Sequence, residues 1–280
     1  MIDKPQQNNY LFSVDLEDIR LRLHAPEKYK ERVPQNTQLY LDWLKKYNAN
    51  CTFFVTGDVA TIYPDLIKKI VDAGHEIGCH TYDHKPIDKQ TPKEFKTDLE
   101  KNILALQKAG AKDIQGFRAP IFSLTKKTAW AYNVLAELGF QYSSSVLPAK
   151  NPLYGWDSFG FKLKQINEKI VEIPLTVGKF GFLVIPPIGG VYFRVLPKLF
   201  VQYIAKQNLK KNLPLVGYLH PYDIDTKQER YMNPGIDNSK FYNFLLYFNR
   251  KNVFHRLDSI MKLGFQICTY KEYLFNNFKK

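Results

Sequence analysis

Tyr10-Leu11-Phe12-Ser13-Val14-Asp15-Leu16-Glu17-Asp18 decides how the rest of the chain is read. The run from Tyr10 to Val14 has the character of a buried strand, and it ends on three carboxylates within four positions. Such crowding is costly unless a cation or hydrogen-bond donors compensate, so the strand end marks a place where chemistry collects. The competing reading is an acidic helix N-terminus. Further along, short apolar runs alternate with amphipathic stretches, the pattern of βα units around a largely parallel sheet. Strands are expected at Tyr10 to Val14, Cys51 to Thr56, Glu76 to Cys79, Gly116 to Arg118, Gln141 to Ser144, Val171 to Pro174, Pro214 to Leu219 and Phe265 to Thr269. Helices are expected at Asn36 to Lys46, Tyr63 to Asp72, Pro92 to Lys108, Lys126 to Leu138, Pro197 to Gln207 and Ser239 to Leu263. Seven or eight such units imply an α/β barrel rather than an open sheet.

The 280 residues, 45% hydrophobic, suit one large α/β barrel or two smaller domains. No linker or repeat divides them. Cys51, Cys79 and Cys268 are odd in number and far apart, which argues for free thiols and a reducing compartment. Met1 to Asn9 has no apolar core, and the longest apolar stretch, Gly181 to Phe193, is broken by Pro186, Pro187, Gly189 and Gly190. Neither a signal peptide nor a spanning helix is expected, which points to a cytoplasmic protein. The net charge of +13 suits any polyanion, whether an anionic membrane or a phosphorylated substrate, and equally a solvated lysine-rich surface. Nucleic acid is set aside, because no aromatic-basic motif, zinc knuckle or helix-turn-helix accompanies the charge.

Barrel chemistry gathers at the carboxyl ends of strands. Asp15, Glu17 and Asp18 follow the first strand, and His80 and His84 follow the third. Arg118 ends the fourth, and His220, Asp223 and Asp225 follow the seventh. Two imidazoles four residues apart suit zinc, cobalt, nickel or iron, and a carboxylate added to them completes an open three-ligand site. A zincin reading of His75-Glu76 fails because His80 lies five residues after His75. Arg118, beside Ala119-Pro120, is suited to grip a carboxylate with two parallel hydrogen bonds. His220 is placed to act as a general acid. Cys79 as a nucleophile is disfavoured by its place inside a strand.

Taken together, Asp15-x-Glu17-Asp18, His80-x-x-x-His84, Arg118-x-Pro120 and Leu219-His220-Pro221 resemble the motifs of the polysaccharide deacetylases, carbohydrate esterase family 4, with the nodulation-type homology domain. The resemblance covers residues 10 to 275. The segments Gly189-Gly190-x-Tyr192-Phe193-Arg194-x-x-Pro197 and His220-Pro221-x-x-Ile224-Asp225 are similar to the branch encoded with exopolysaccharide and O-antigen clusters. The family implies a distorted (β/α)7 barrel, a divalent metal of the zinc type and an N-acetylated amino-sugar substrate. Carried over, the single domain spans 1–280, with a core at about 10–225 and a C-terminal extension at about 226–280 packed on it. His80 and His84 become metal ligands, Asp15 the general base, His220 the acid and Arg118 the residue that holds the base. Leu16 stands where many members have a second aspartate, so Asp18 is favoured as third ligand, with Glu17 as the alternative. Ser143-Ser144-Ser145 replaces the family's D-S-S, so Asp223 or Asp225 is expected to orient His220. Pro120, Ile121, Arg194 and Tyr222 are assigned to substrate and oxyanion binding. A nucleotide- or lipid-linked sugar at the inner face of a membrane would suit the basic charge, with contact through Phe241 to Phe248, Lys279 and Lys280, although an amphipathic helix packed on the barrel is the favoured reading of that stretch. Deformylation or hydrolysis of another C–N bond is the nearest alternative, and an inactive carbohydrate-binding protein the alternative from another class.

Overall fold

The structure, a computed structural model, describes residues 8–151, 153–233 and 235–278. Its strands are β1 (Asn9–Leu16), β2 (Thr52–Val55), β3 (Glu76–Cys79), β4 (Gly116–Phe117), β5 (Tyr142–Ser143), β6 (Lys164–Gln165), β7 (Val171–Glu172), β8 (Gly178–Phe180), β9 (Leu183–Ile185), β10 (Leu215–Leu219) and β11 (Gln266–Ile267). The helices are α1 (Val33–Lys46), α2 (Gly57–Ile62), α3 (Pro64–Asp72), α4 (Pro92–Lys108), α5 (Ala131–Glu137), α6 (Gly190–Val195), α7 (Lys198–Lys210), α8 (Lys240–Tyr247), α9 (Val253–Met261) and α10 (Tyr270–Phe278).

The main sheet runs in the order β10-β1-β2-β3-β4-β5-β7-β6, parallel from β10 to β7, with β11 also paired to β1. It curls towards closure. Just past β7, the Thr176 N–H donates to the Val216 carbonyl of β10 at 3.2 Å, and Gly189 bridges Tyr218 in parallel. The result is the distorted (β/α)7 barrel expected from the sequence. Lys279 and Lys280 lie outside the described residues.

The period-two geometry of strands sorts side chains into two cores. Tyr10, Phe12, Val14 and Leu16 of β1 face the helices, together with Phe53, Val55, Ile77 and Cys79. Leu11, Phe54, Tyr142, Ile173, Val216 and Tyr270 fill the barrel interior. Space inside is tight. A Cβ on Gly116 would lie 2.1 Å from the Tyr142 ring and hydroxyl, so only glycine lets Tyr142 cross the barrel to Glu76, whose carboxylate accepts from its hydroxyl at 2.8 Å.

The helices begin where local chemistry allows. Thr91 and Glu94 form a reciprocal capping box at the start of α4, whose first residue is Pro92. Two expectations fail in detail. Ser239 to Leu263 is not one helix: the chain breaks between α8 and α9, where Phe248 is extended and Asn249 is left-handed at φ 60°. Lys126 to Leu138 likewise splits into a 3-10 turn and α5. Helices α2 and α6 went unread, because six residues are too few for a periodic pattern to register.

Candidate active site

The strand parity that fills the barrel also aims the polar residues. Ser13 and Asp15 share the inward face of β1 with Leu11. His80 and Arg118 continue the inward rows of β3 and β4, and His220 continues that of β10. Arg118 is fully buried and donates to Asp15 Oδ1 at 2.6 Å, Ser13 Oγ at 2.6 Å, the Ser144 carbonyl at 2.9 Å, Ser144 Oγ at 3.0 Å and the Tyr270 hydroxyl at 2.8 Å. Its guanidinium lies 4.2 Å from the Phe54 ring centroid. Burial disfavours the charge, but Asp15 and Tyr270 outweigh it and raise the guanidinium pKa further. Arg118 and Asp15 are therefore a buried ion pair, with one Asp15 oxygen pinned.

His80 is also buried, and its Nδ1 lies 2.8 Å from the Arg118 carbonyl. Burial drives the imidazole down to about 4, against the pull of Asp15, so the neutral ring donates from Nδ1 and keeps a lone pair on Nε2. The ring of His84 stands 5.0 Å away, edge to face, and His84 Nε2 is 2.9 Å from Glu17 Oε2. Burial alone would push the Glu17 carboxyl up, but His84, with His220 and His80 behind it, holds it well below the usual carboxylate range.

Asp18 does not join this group, which corrects its assignment as the favoured metal ligand. It caps the 3-10 turn Ile19–Arg22 by accepting from the Arg20 N–H at 3.0 Å, and it pairs with the Arg20 guanidinium at 3.1 Å. Parity explains the outcome. Leu16 points into the outer core, Glu17 follows Asp15 to the inner side, and its longer stem reaches the histidines. The sequence already contained that signal in the alternation from Leu11 onward.

His220 Nδ1 lies 2.9 Å from Asp223 Oδ2, which also accepts from the His220 backbone N–H at 2.8 Å. Arg194 Nε donates to the other Asp223 oxygen at 2.8 Å. Burial would raise the Asp223 carboxyl, but Arg194 and His220 hold it far below its ordinary value. Burial would lower His220, yet Asp223, with help from Glu17 and Asp15, raises it. The ring stacks on Tyr222 with centroids 4.5 Å apart, and the Tyr222 hydroxyl reaches Glu17 at 3.3 Å. Asp225 has another task, contrary to the paired expectation: it binds Arg32 and accepts from Asn36 Nδ2 at 2.9 Å. The assignment of Arg194 to substrate is corrected too. It is buried behind Asp223 and donates to the Leu245 and Phe248 carbonyls at 3.2 and 2.6 Å. Ser144 and Tyr270 were missed as partners of Arg118, since a strand-end serine and a tyrosine 152 residues away leave no local signal.

Pro120 and Ile121 lie on the loop after Arg118. Ile121 adopts φ 45° and Phe122 φ 56°, a left-handed pair that costs a β-branched residue about 1–3 kcal/mol and persists only where its surroundings enforce it. The N–H groups of Phe122 and Ser123 donate to the Ala119 and Pro120 carbonyls. That of Ile121 has no acceptor among the described residues.

Two imidazoles and an ionised carboxylate fit a zinc-type ion, and the lone pair left on His80 Nε2 is the feature that fits it best. As they stand, no three His, Cys, Asp or Glu side chains among the described residues form a ligating cluster.

The curled parallel barrel thus gathers the Asp15–Arg118 ion pair, the His80–His84 imidazoles and the His220–Asp223 pair at one mouth. Over residues 27–143 the chain matches the polysaccharide deacetylase family. The profile described as polysaccharide deacetylase matches residues 27–143, and one described as a domain of unknown function, DUF3473, matches residues 144–274. The chain is 27% identical over 190 residues to a peptidoglycan deacetylase of Helicobacter pylori, covering 66% of this chain and 60% of that one. It is 38% identical over 65 residues to a peptidoglycan-N-acetylglucosamine deacetylase of Bacillus cereus, covering 23% and 24%. The chain thus spans at most about three-fifths of the length of these relatives. Among solved structures, a protein from Mycobacterium smegmatis assigned to the polysaccharide deacetylases shares the fold, with a TM-score of 0.62 at 17% identity over 98% of this chain and 92% of the other. A family pseudoenzyme from Bacillus anthracis shares it too, with a TM-score of 0.53 at 13% identity over 96% and 66%.

Proposed function

We propose that the protein is a hydrolase that removes the acetyl group from the nitrogen of an amino sugar, in the making of a bacterial surface polysaccharide or lipid-linked glycan in the cytoplasm. The observation that carries this reading is the placement of a buried Asp15–Arg118 pair and a His220–Asp223 pair on either side of His80, His84 and Glu17. Each pair leaves one working atom outside its own bond, and that of His220, Nε2, lies 3.6 Å from Glu17 Oε1. Arg118 occupies one oxygen of Asp15, and the other accepts the proton of the attacking water. Asp223 occupies Nδ1 of His220, so Nε2 delivers a proton to the departing sugar amine, a contribution typically worth ~10²–10⁴ in rate. The Ile121 N–H receives the developing oxyanion. Tyr222 packs against the His220 ring and limits its rotation. His80, His84 and Glu17 would hold a divalent ion, with zinc the first choice, and bound there it would supply Lewis-acid polarisation and a more acidic water.

The test combines elemental analysis with acetate release from N-acetylated amino-sugar oligomers. Asp15→Asn is expected to keep the metal and lose turnover, and His80→Ala to lose both. Formate in place of acetate would shift the reading to a deformylase. Sugar binding without product, after metal reconstitution, would leave a binding protein.

A second comparison settles the third ligand. Glu17→Ala is expected to abolish stoichiometric metal. Asp18→Ala should retain it and cost only about 1 kcal/mol of stability, as the loss of a helix cap does. Metal loss in Asp18→Ala with retention in Glu17→Ala would reverse the assignment.

A further inference from the structure

From Ile173 to Tyr222 the chain contains no aspartate or glutamate, while it carries Lys179, Arg194, Lys198, Lys206, Lys210 and Lys211. That stretch includes the β8–β9 hairpin, a two-stranded sheet separate from the barrel. Phe180 pairs with Leu183, so the loop is the two residues Gly181 and Phe182, with Gly181 at φ 60°. A two-residue hairpin loop with glycine first is sterically ordinary. Phenylalanine at its apex is not, because turn apices favour Gly, Asn, Asp and Ser for their backbone and hydrogen-bonding properties. Phe182 is 95% exposed, so packing within the fold does not account for it.

The tip belongs to a larger apolar surface. The Phe180 ring meets Phe200 of α7 at 4.9 Å, which seats the hairpin on that helix. Leu199 and Tyr203 of α7 and Phe161 are also exposed. Phe161 and Tyr203 line a groove of about 750 Å³ whose walls also include Lys162, Lys164, Lys179 and Lys211 and no acidic residue. An exposed apolar tip on a hairpin whose Lys179 joins a lysine-lined groove matches a surface that is anionic outside and apolar beneath. Aromatic residues enter the headgroup boundary while lysine stems let the ammonium groups stay among the phosphates. A second copy of the chain would bring like charges together, and a neutral sugar polymer has no use for the lysines.

We propose that the β8–β9 hairpin and the groove beside α7 dock the protein on an anionic phospholipid bilayer. This surface is distinct from the exposed aromatic residues of α8 and does not depend on the chemistry assigned to the barrel mouth.

The experiment is flotation of the full chain with phosphatidylcholine vesicles, with and without phosphatidylglycerol. Binding to the anionic vesicles, weakened by salt, is the expected result. Phe182→Ser should weaken it about tenfold, as expected for withdrawing one large apolar side chain from the boundary. Lys162→Glu/Lys179→Glu/Lys211→Glu should weaken it on the order of a hundredfold, since each lysine near such a surface is worth ~1 kcal/mol. Circular dichroism and unfolding midpoints like wild type would confirm that both variants are folded. No flotation of wild type, equal flotation with neutral vesicles, or binding unchanged in both variants would each overturn the proposal. So would a dimer that Phe182→Ser dissolves in a protein that ignores vesicles.

Discussion

Replacing Arg118 with methionine is expected to cost about 3–5 kcal/mol of stability, the usual loss when one partner of a buried ion pair is removed. Arg118 is fully buried, and Asp15 is 2% exposed. The guanidinium offers five N–H donors, and the five contacts it makes are to Asp15, Ser13, Tyr270 and twice to Ser144. Methionine keeps much of the volume and the contact with Phe54, but it leaves the Asp15 carboxylate with no cation. The carboxylate also loses the hydrogen bond that fixes one of its oxygens, so it no longer stands where a base must stand. Turnover should therefore vanish together with stability.

The loss is large against a total of ~5–15 kcal/mol for a whole domain, and in a chain of this size it corresponds to roughly 10 °C in Tm. Denaturant titration and acetate release measure the two effects separately. Adding Asp15→Asn to Arg118→Met should restore part of the stability and none of the activity, because the two residues share one interaction. Arg118→Lys is expected to fall between, since one ammonium cannot span partners on β1, just past β5 and on α10 at once. An Arg118→Met protein with the wild-type midpoint would show that the pair contributes nothing and that Asp15 is held by other means.

The barrel was legible because its strands alternate with amphipathic helices long enough to show a period, and most strand positions agree to within two residues. The grouping at the candidate site was legible because ionisable residues directly follow apolar strands, and the parity of those strands carries Asp15, His80, Arg118 and His220 inward. What was lost depended on reach rather than order. Glu17 and Asp18 are neighbours in sequence with equal charge, and only strand parity together with Arg20 two residues on separates their tasks. Tyr270 supports Arg118 from α10, and Arg194 supports Asp223 from α6, in both cases through hydrogen bonds between segments far apart in the chain. No local pattern records such partners. Helix α8 divides its residues: Phe241, Tyr242 and Phe244 are exposed, while Asn243, Leu245, Leu246 and Tyr247 are half-buried, and the Leu245 carbonyl accepts from Arg194.

Asp223→Asn is expected to lower kcat by ~10²–10⁴ with little change in KM, the range over which a positioned general acid contributes. Asparagine preserves the shape and one acceptor oxygen, so the backbone N–H of His220 can still be satisfied. The negative charge that His220 Nδ1 faces at 2.9 Å is what disappears. Burial works against a protonated His220, and Asp223 is the main group that overcomes it. Without that charge the pKa of His220 falls. An acid must carry its proton to act, and the protonated form exists below the pKa, so the alkaline limb of the kcat profile should move to lower pH. Arg194 would lose its one carboxylate partner and keep only the carbonyls of Leu245 and Phe248, so a loss of stability should accompany the change. Asp225→Asn is the matched control. Its carboxylate serves Arg32 and Asn36, so it should reduce stability and leave the pH limb in place. If the limb moved in Asp225→Asn and not in Asp223→Asn, the orienting role would belong to Asp225 through some arrangement other than this one, and the two-pair reading of the barrel mouth would lose half its support.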